Sequence, residues 1–130
     1  MKLDFDLMVI GGGSAGLTAA QLAAGVGRKV ALIEREKTGG ECLYTGCVPS
    51  KTLLSIAREV WSACSASRYG LECGGQTDWQ TDWSVVKAQI KAVIARIEPQ
   101  DSPEALEKAG VHVIAGEAKF VADRTLEVAT

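Results

Sequence analysis

The chain has 130 residues, 47% of them hydrophobic and 23% charged, with a formal net charge of −2. That length holds one domain with one core and excludes two domains with a site between them; the composition excludes intrinsic disorder, collagen and a disulfide-stapled miniprotein. The slightly acidic balance gives no electrostatic footprint for nucleic acid or anionic lipid, and no run approaches the ~18 apolar residues of a membrane span.

The N-terminus, Met-Lys-Leu-Asp-Phe-Asp, lacks the basic start and long apolar stretch of a secretory signal. A cytoplasmic location is therefore expected, where lasting disulfides are rare and a close cysteine pair reads as redox or metal chemistry. Residues 5–10 are apolar except for Asp6 and stop at Gly11-Gly12-Gly13, the pattern of a buried parallel strand entering a turn. Residues 14–24 are small, apolar and Ala-rich, and end at Gly25 and Gly27, which predicts a helix with a glycine stop. Residues 29–33 read as a second buried strand closed by the polar run Glu34-Arg35-Glu36-Lys37. Together these pieces make one strand–helix–strand crossover.

Beyond Thr38-Gly39-Gly40 come Cys42 and Cys47, and Pro49 stands where a first helical turn tolerates proline. Apolar residues from Leu53 to Cys64 recur at helical spacing, so a helix should run to about residue 67. Residues 69–81 read as a loop with Gly70, Gly74 and Gly75. Asp82 is the expected N-cap of a helix through Ile97, which Pro99 breaks. Ser102-Pro103-Glu104 starts a shorter helix ending at Gly110. Strands at 111–115, 118–121 and 125–128 are expected to form a small β-meander, with Asp123-Arg124 in its last turn.

The glycine loop carries the first chemistry. Gly11-x-Gly13-x-x-Gly16 lies between a predicted strand and a predicted helix, and Glu34 follows 18 residues after Gly16. In that context Gly11 serves the tight turn and Gly13 the approach of a pyrophosphate. Gly16 serves close helix–strand packing, and free N–H groups at the helix start receive phosphate. Glu34 would accept from ribose hydroxyls and repel a 2′-phosphate. The cofactor expected is FAD or NAD rather than NADP, with the choice between the two left open by the loop.

Cys42 and Cys47 are separated by four residues including Gly46, close enough to bridge if the loop coils. Cys47 opens a predicted helix and Lys51 follows one turn later, and both features lower a thiol pKa. On this reasoning Cys47 should be the more acidic thiol. A stabilised thiolate beside a second cysteine is the layout of a thiol–disulfide exchange site. Metal binding by the pair would need further ligands, and neither C-x-x-C spacing nor a nearby histidine exists. Cys64 and Cys73 read as packing or incidental residues, the lone His112 as core or edge filler, and Trp61, Trp79 and Trp83 as packing.

The run Gly39-Gly40-Glu41-Cys42-Leu43-Tyr44-Thr45-Gly46-Cys47-Val48-Pro49-Ser50-Lys51, soon after the glycine fingerprint and Glu34, resembles the redox-active disulfide motif of the flavin-dependent pyridine nucleotide–disulfide oxidoreductases. The branch is that of lipoamide dehydrogenase, glutathione reductase and mercuric reductase. The stretches Gly116-Glu117-Ala118-Lys119-Phe120 and Thr125-Leu126-Glu127-Val128 extend the resemblance to the end of the chain. The resemblance implies a Rossmann-like, three-layer α/β FAD-binding domain with a parallel sheet and a small β-meander, here residues 1–130 of a larger fold. It implies a Cys42–Cys47 disulfide, with Cys47 as the thiol against the flavin and Cys42 as the interchange thiol, less hindered by the flavin and so the faster to be alkylated once the pair is reduced. It also implies that the backbone of Gly13, Ser14, Ala15 and Gly16 holds the pyrophosphate and Lys51 lies near the flavin ring. Gly11, Glu34, Arg35, Gly40, Glu41 and the backbone of Ala118 complete the cofactor set.

By the same resemblance, electrons pass from NAD(P)H through FAD to the cysteine pair and on to a small disulfide or metal-ion substrate, in a homodimer that binds neither nucleic acid nor membrane. Intact members run to roughly three times this length, with NAD-binding and dimerisation domains that have no counterpart in this chain. Part of the sheet is expected to be an open edge, and the chain alone to be inactive. Glu41 stands where the family has a small polar residue such as Thr. Leu43-Tyr44-Thr45 replaces a Val-Asn-Val-like filling and looks nearer to mercuric-reductase-like members, so the resemblance leaves the substrate open. Two other readings remain: a self-contained NAD-binding reductase domain, which does not account for the cysteine motif, and a non-enzymatic redox-sensing module.

Overall fold

The short run Leu7–Ile10 forms β1, and it does so beside Val30–Glu34, β2, in parallel register with Leu7 opposite Val30. The computed structural model describes residues 3–71 and 81–129. The expectations for Cys73, Gly74, Gly75 and Trp79 fall outside them. β1 starts later than the apolar pattern predicts because Asp6 replaces the first ladder rungs. Its N–H donates to the Lys29 carbonyl at 2.8 Å, and its Oδ2 accepts from the Lys29 N–H at 2.9 Å.

Helix α1, Ser14–Gly25, crosses from β1 to β2. A short helix α2, Gly40–Tyr44, precedes α3, Cys47–Ser65, and α4, Trp83–Ile97. The cap expected at Asp82 is present, with Oδ1 accepting from the Ser84 N–H at 2.8 Å. Helix α5, Pro103–Lys108, is capped by Ser102, whose Oγ accepts from the Ala105 N–H at 3.2 Å. It delivers the chain to β3, Val111–Ala115.

The expected three-stranded meander is corrected here. β3 lies parallel to β2, with Val30 opposite Val111, which gives the sheet order β1-β2-β3. Helices precede β3, so the chain re-enters the sheet from the same end as β2, which an antiparallel return forbids. Only Glu117–Ala122, β4, and Thr125–Ala129, β5, pair antiparallel, as a hairpin turning at Asp123-Arg124. Gly116 sends the chain out of the parallel sheet, and its N–H donates to the Glu34 carbonyl at 2.9 Å.

The core is built where β2, flanked on both sides, meets α1 and α5. Leu32, Val30, Val111, Leu106, Leu17 and Ala20 are all buried there, and Leu106 and Leu32 are fully so. The helices α1 and α5 thus cover one face of the sheet. The hairpin packs against β2, and its Ala118 shares a cleft with Ile10 and Ile33 of the opposite face. The layers are helix, parallel sheet and hairpin. β1 pairs with β2 alone among the described residues and leaves Ile10 half exposed, the open edge the sequence anticipates. Helices α3 and α4 pack on each other and on α2. Trp61 and Trp83 stand in solvent on this pair at 68% and 60% exposure, so the packing expected of them is not observed; Cys64 is exposed too. His112 is an edge residue of β3 and stacks on Phe5 with ring centroids 5.6 Å apart.

Candidate functional site

The glycine loop is pinned from three sides. The Gly11 N–H donates to the Ile33 carbonyl at 2.8 Å, so the turn leaves β1 still tied to β2. Gly11 takes a φ of +97°, which side-chain-bearing residues rarely adopt. A Cβ on Gly16 would land on the Gly11 carbonyl oxygen, so α1 approaches β1 as closely as glycine allows. Gly13 caps α1 with no side-chain hydrogen bond, and a Cβ there would meet nothing within 4 Å. The first-turn N–H groups of α1 are left without a side-chain acceptor beside open space, the arrangement that receives an anion.

Glu34 closes this loop at the end of β2. Its Oε2 accepts from the Gly12 N–H at 2.6 Å and its Oε1 from the Glu36 N–H at 2.8 Å. Partial burial pushes its pKa up, but the N–H groups of Glu36, Gly12 and Arg35, with the Arg35 charge, outweigh burial and hold it below the ordinary value. The carboxylate is thus anionic and oriented. It lines a cleft of about 770 Å³ together with Gly11, Arg35, Gly40, Glu41 and Ala118, six of the residues expected at the cofactor. Lys37 and Tyr44, which sequence reasoning missed, line it too. Tyr44 donates its hydroxyl to Glu98 Oε1 at 2.9 Å, and Lys37 Nζ lies 3.9 Å from the same oxygen, which ties α2 to the end of α4.

Gly13, Ser14, Ala15 and Gly16 lie outside that cleft's wall, as do Cys42, Cys47 and Lys51. Ser14 and Cys42 meet instead in a second cleft of about 290 Å³. The cause is the docking of α2 on the loop. The Gly39 N–H donates to the Gly12 carbonyl at 2.8 Å, and a Cβ on Gly40 would stand 2.8 Å from Gly13 Cα. With the start of α2 held there, Cys42 reaches the first residue of α1. The interval 39–44 shows no helical periodicity because α2 is only five residues long, so this docking was invisible in the sequence.

Both cysteines carry thiols, Cys42 partly buried and Cys47 exposed. The greater accessibility expected of Cys42 belongs to the pair with flavin against Cys47. Within the pair, the direction of the thiol–thiol hydrogen bond favours ionisation at Cys42 over Cys47. The Cys42 pKa is lowered because the Cys47 side chain and the Ser14 hydroxyl donate to its sulfur, with the Cys47 N–H and the Lys51 charge adding to them. Cys47 is raised, since its proton is held on the Cys42 sulfur and its ionisation would place a second negative charge beside Cys42. The N–H at the start of α3, counted for Cys47 from the sequence, serves both sulfurs. Lys51 is exposed on α3 and its charge reaches both sulfurs. The resulting array is one stabilised thiolate with a second thiol in hydrogen-bond contact, competent for two-step disulfide exchange.

No cluster of three potential metal ligands exists among the described residues, and none of their helices is long and apolar enough to cross a membrane.

The chain is 38% identical over 129 residues to a glutathione reductase of Nostoc sp., covering 98% of this chain and 27% of that protein. It is 34% identical over 126 residues to a mercuric reductase of Staphylococcus aureus, covering 96% and 22%. A dihydrolipoyl dehydrogenase of Bacillus subtilis is 44% identical over 75 residues, 58% of this chain and 16% of that protein. Among solved structures, the Cu(II) complex of the HOCl-induced flavoprotein disulfide reductase RclA from Escherichia coli superposes with a TM-score of 0.71 at 27% identity, over 95% of this chain and 24% of that one. The chain thus spans about a quarter or less of the proteins it resembles. Residues 5–129 match the family described as pyridine nucleotide-disulphide oxidoreductase, and the chain belongs to that family.

Proposed function

We propose that this chain is the FAD-binding, dithiol-bearing part of a flavin-dependent dithiol–disulfide oxidoreductase, whose nicotinamide-binding and dimerisation domains lie outside residues 1–130. The carrying observation is the docking of α2 on the glycine loop, which joins the dinucleotide-type cleft to the Cys42–Cys47 pair. The residues fit a dinucleotide: the start of α1 has no side-chain cap, a Cβ at Gly13 would meet open space, and the Glu34 carboxylate is oriented by the N–H of the neighbouring Gly12. Gly13 to Gly16 would hold the pyrophosphate, Glu34 the adenosine ribose, and Gly40, Glu41, Arg35 and Ala118 the walls. Bound there, FAD would supply two-electron exchange between NAD(P)H and the dithiol.

The cysteines do the rest. Cys42 thiolate attacks one sulfur of a substrate disulfide, forming a mixed disulfide while the substrate S–S bond breaks and the leaving thiolate takes a proton. Cys47 then attacks the Cys42 sulfur, closing Cys42–Cys47 and releasing the second thiol. Two electrons leave the pair and the substrate gains two thiols. The reading takes the enzyme to be a cytoplasmic homodimer acting on a small disulfide or metal-ion substrate.

The test is ligand binding to the full-length protein. FAD should bind, FMN, which lacks the adenosine half, should not, and Glu34→Arg should weaken FAD at least about tenfold by losing a charged acceptor. Equal binding of FMN, or unchanged FAD affinity in Glu34→Arg, would overturn the cofactor assignment.

A further inference from the structure

We propose that Tyr44 is a positioning residue for Cys42: its hydroxyl, fastened to Glu98 across 54 positions of sequence, holds the far end of α2 against the end of α4 and so keeps the Cys42 sulfur beside Ser14 and Cys47. The proposal rests on the reading of Cys42 as the attacking thiol. A helix of five residues closes too few backbone hydrogen bonds to hold its own direction, so whatever clamps its two ends sets where its side chains stand. The start of α2 is clamped by backbone, the Gly39 N–H on the Gly12 carbonyl at 2.8 Å. That start is two glycines at φ of +102° and +58°, so the clamp is a pivot rather than a lock.

Leu43 and Tyr44 hold the far end, by different means. Leu43 is buried, and an apolar contact resists withdrawal without setting a direction. Tyr44 donates its hydroxyl to Glu98 Oε1 at 2.9 Å, while Lys37 Nζ lies 3.9 Å from that oxygen and 5.4 Å from the centre of the Tyr44 ring. The phenol is thus held at its tip and on its face. Burial, the hydrogen bond to Glu98 and the charges of Glu98 and Asp101 push its pKa up, so the hydroxyl stays protonated and donating through the neutral range. Cys42 sits between the glycine pivot and this clasp. Its hydrogen bonds with the Ser14 and Cys47 side chains are directional, so a swing of α2 breaks them even while Leu43 stays covered. The Lys51 charge, which also reaches Cys42, comes from α3 and is independent of the clasp.

The experiment follows iodoacetamide labelling of Cys42 against pH in the reduced full-length protein, read by peptide mass analysis. Tyr44→Phe keeps the ring and removes the hydroxyl. Below the ordinary thiol range it should label Cys42 about threefold more slowly than the parent, the scale of one weakened hydrogen bond, with the profile displaced upward. Glu98→Gln and Glu98→Ala both lose the Lys37 ion pair, but glutamine still offers the phenol a carbonyl oxygen. Glu98→Gln should therefore label as the parent does and Glu98→Ala as Tyr44→Phe does, and the double variant Tyr44→Phe with Glu98→Ala should be no slower than either alone. General loosening of the fold does not produce that rescue by glutamine, so the Glu98 pair decides the case even where Tyr44→Phe loses stability. A parent-like profile in Tyr44→Phe, or Glu98→Gln as slow as Glu98→Ala, overturns the inference and leaves the exchange pair standing. If the parent itself labels Cys47 at lower pH than Cys42, the reading beneath the inference falls with it.

Discussion

Gly13 and Gly16 differ by three positions, and the structure assigns them opposite kinds of necessity. At Gly16 an added Cβ would coincide with the Gly11 carbonyl oxygen and lie 3.3 Å from Val9 Cγ1. Backbone cannot rotate away as a side-chain tip can, so α1 must lift from β1. Overpacking of this kind costs about 1–3 kcal/mol, a large share of the ~5–15 kcal/mol of a domain this size. At Gly13 the added Cβ meets nothing within 4 Å, and φ of −80° suits alanine. Alanine there forgoes a good N-cap residue, at about 0.5–1 kcal/mol, but stiffens the unfolded chain by a similar amount. Gly13→Ala should therefore unfold in urea within about 0.5 kcal/mol of the parent, from the same terms. Yet its methyl occupies the space a pyrophosphate needs, so FAD affinity in the full-length protein should fall at least about tenfold, a loss of ~1.4 kcal/mol. Urea unfolding of both variants, with flavin fluorescence titration of Gly13→Ala, separates the two roles. Equal stability of Gly16→Ala and the parent, or a Gly13→Ala variant that binds FAD normally, would refute the reasoning.

The same geometry fixes further outcomes. In the reduced protein, iodoacetamide labelling followed across pH should find Cys42 reactive at lower pH than Cys47; Ser14→Ala should move the Cys42 profile upward and Ser14→Thr restore it, while earlier labelling of Cys47 would contradict the hydrogen-bond assignment. Glu34 has a folded pKa below its unfolded value, so its stabilising contribution is present above the ordinary glutamate range and lost as pH falls through the lowered value; Glu34→Gln should flatten that acid limb in pH-dependent urea unfolding, and an unchanged limb would argue against its N–H partners. Leu106→Ala should cost about 2–5 kcal/mol in urea unfolding because α5 rests on that one fully buried side chain, and a smaller loss would show that α5 does not anchor the core.

What was legible in the sequence were features whose signal is local. The strand–glycine–helix–strand order around Gly11 to Glu34, the Asp82 and Ser102 caps, and the cysteine spacing each announce themselves within a few residues. The pairing of β3 with β2 is non-local, and an apolar run such as 111–115 does not say which neighbour it joins. Helix α2 was too short for periodicity, and with it went the docking that brings Ser14 to Cys42. The hydrogen bond between the two thiols was hidden for the same reason. Proximity along the chain puts Lys51 and the α3 N-terminus near Cys47; the fold lets both act on Cys42 as well and gives Cys42 a further donor from α1, Ser14. The apolar spacing on α3 and α4 promised burial, yet Leu54, Trp61 and Trp83 remain in solvent, because a hydrophobic stripe states a preference and not its partner.

The central claim is that Cys42 and Cys47 act as one two-electron unit fed through a bound flavin. Its most direct test is anaerobic addition of one equivalent of NAD(P)H to the oxidised full-length protein, followed by alkylation and peptide mass analysis. Two newly labelled thiols per chain are expected, at Cys42 and Cys47 together. Labelling at other cysteines, or flavin bleaching with the pair left unlabelled, would contradict it.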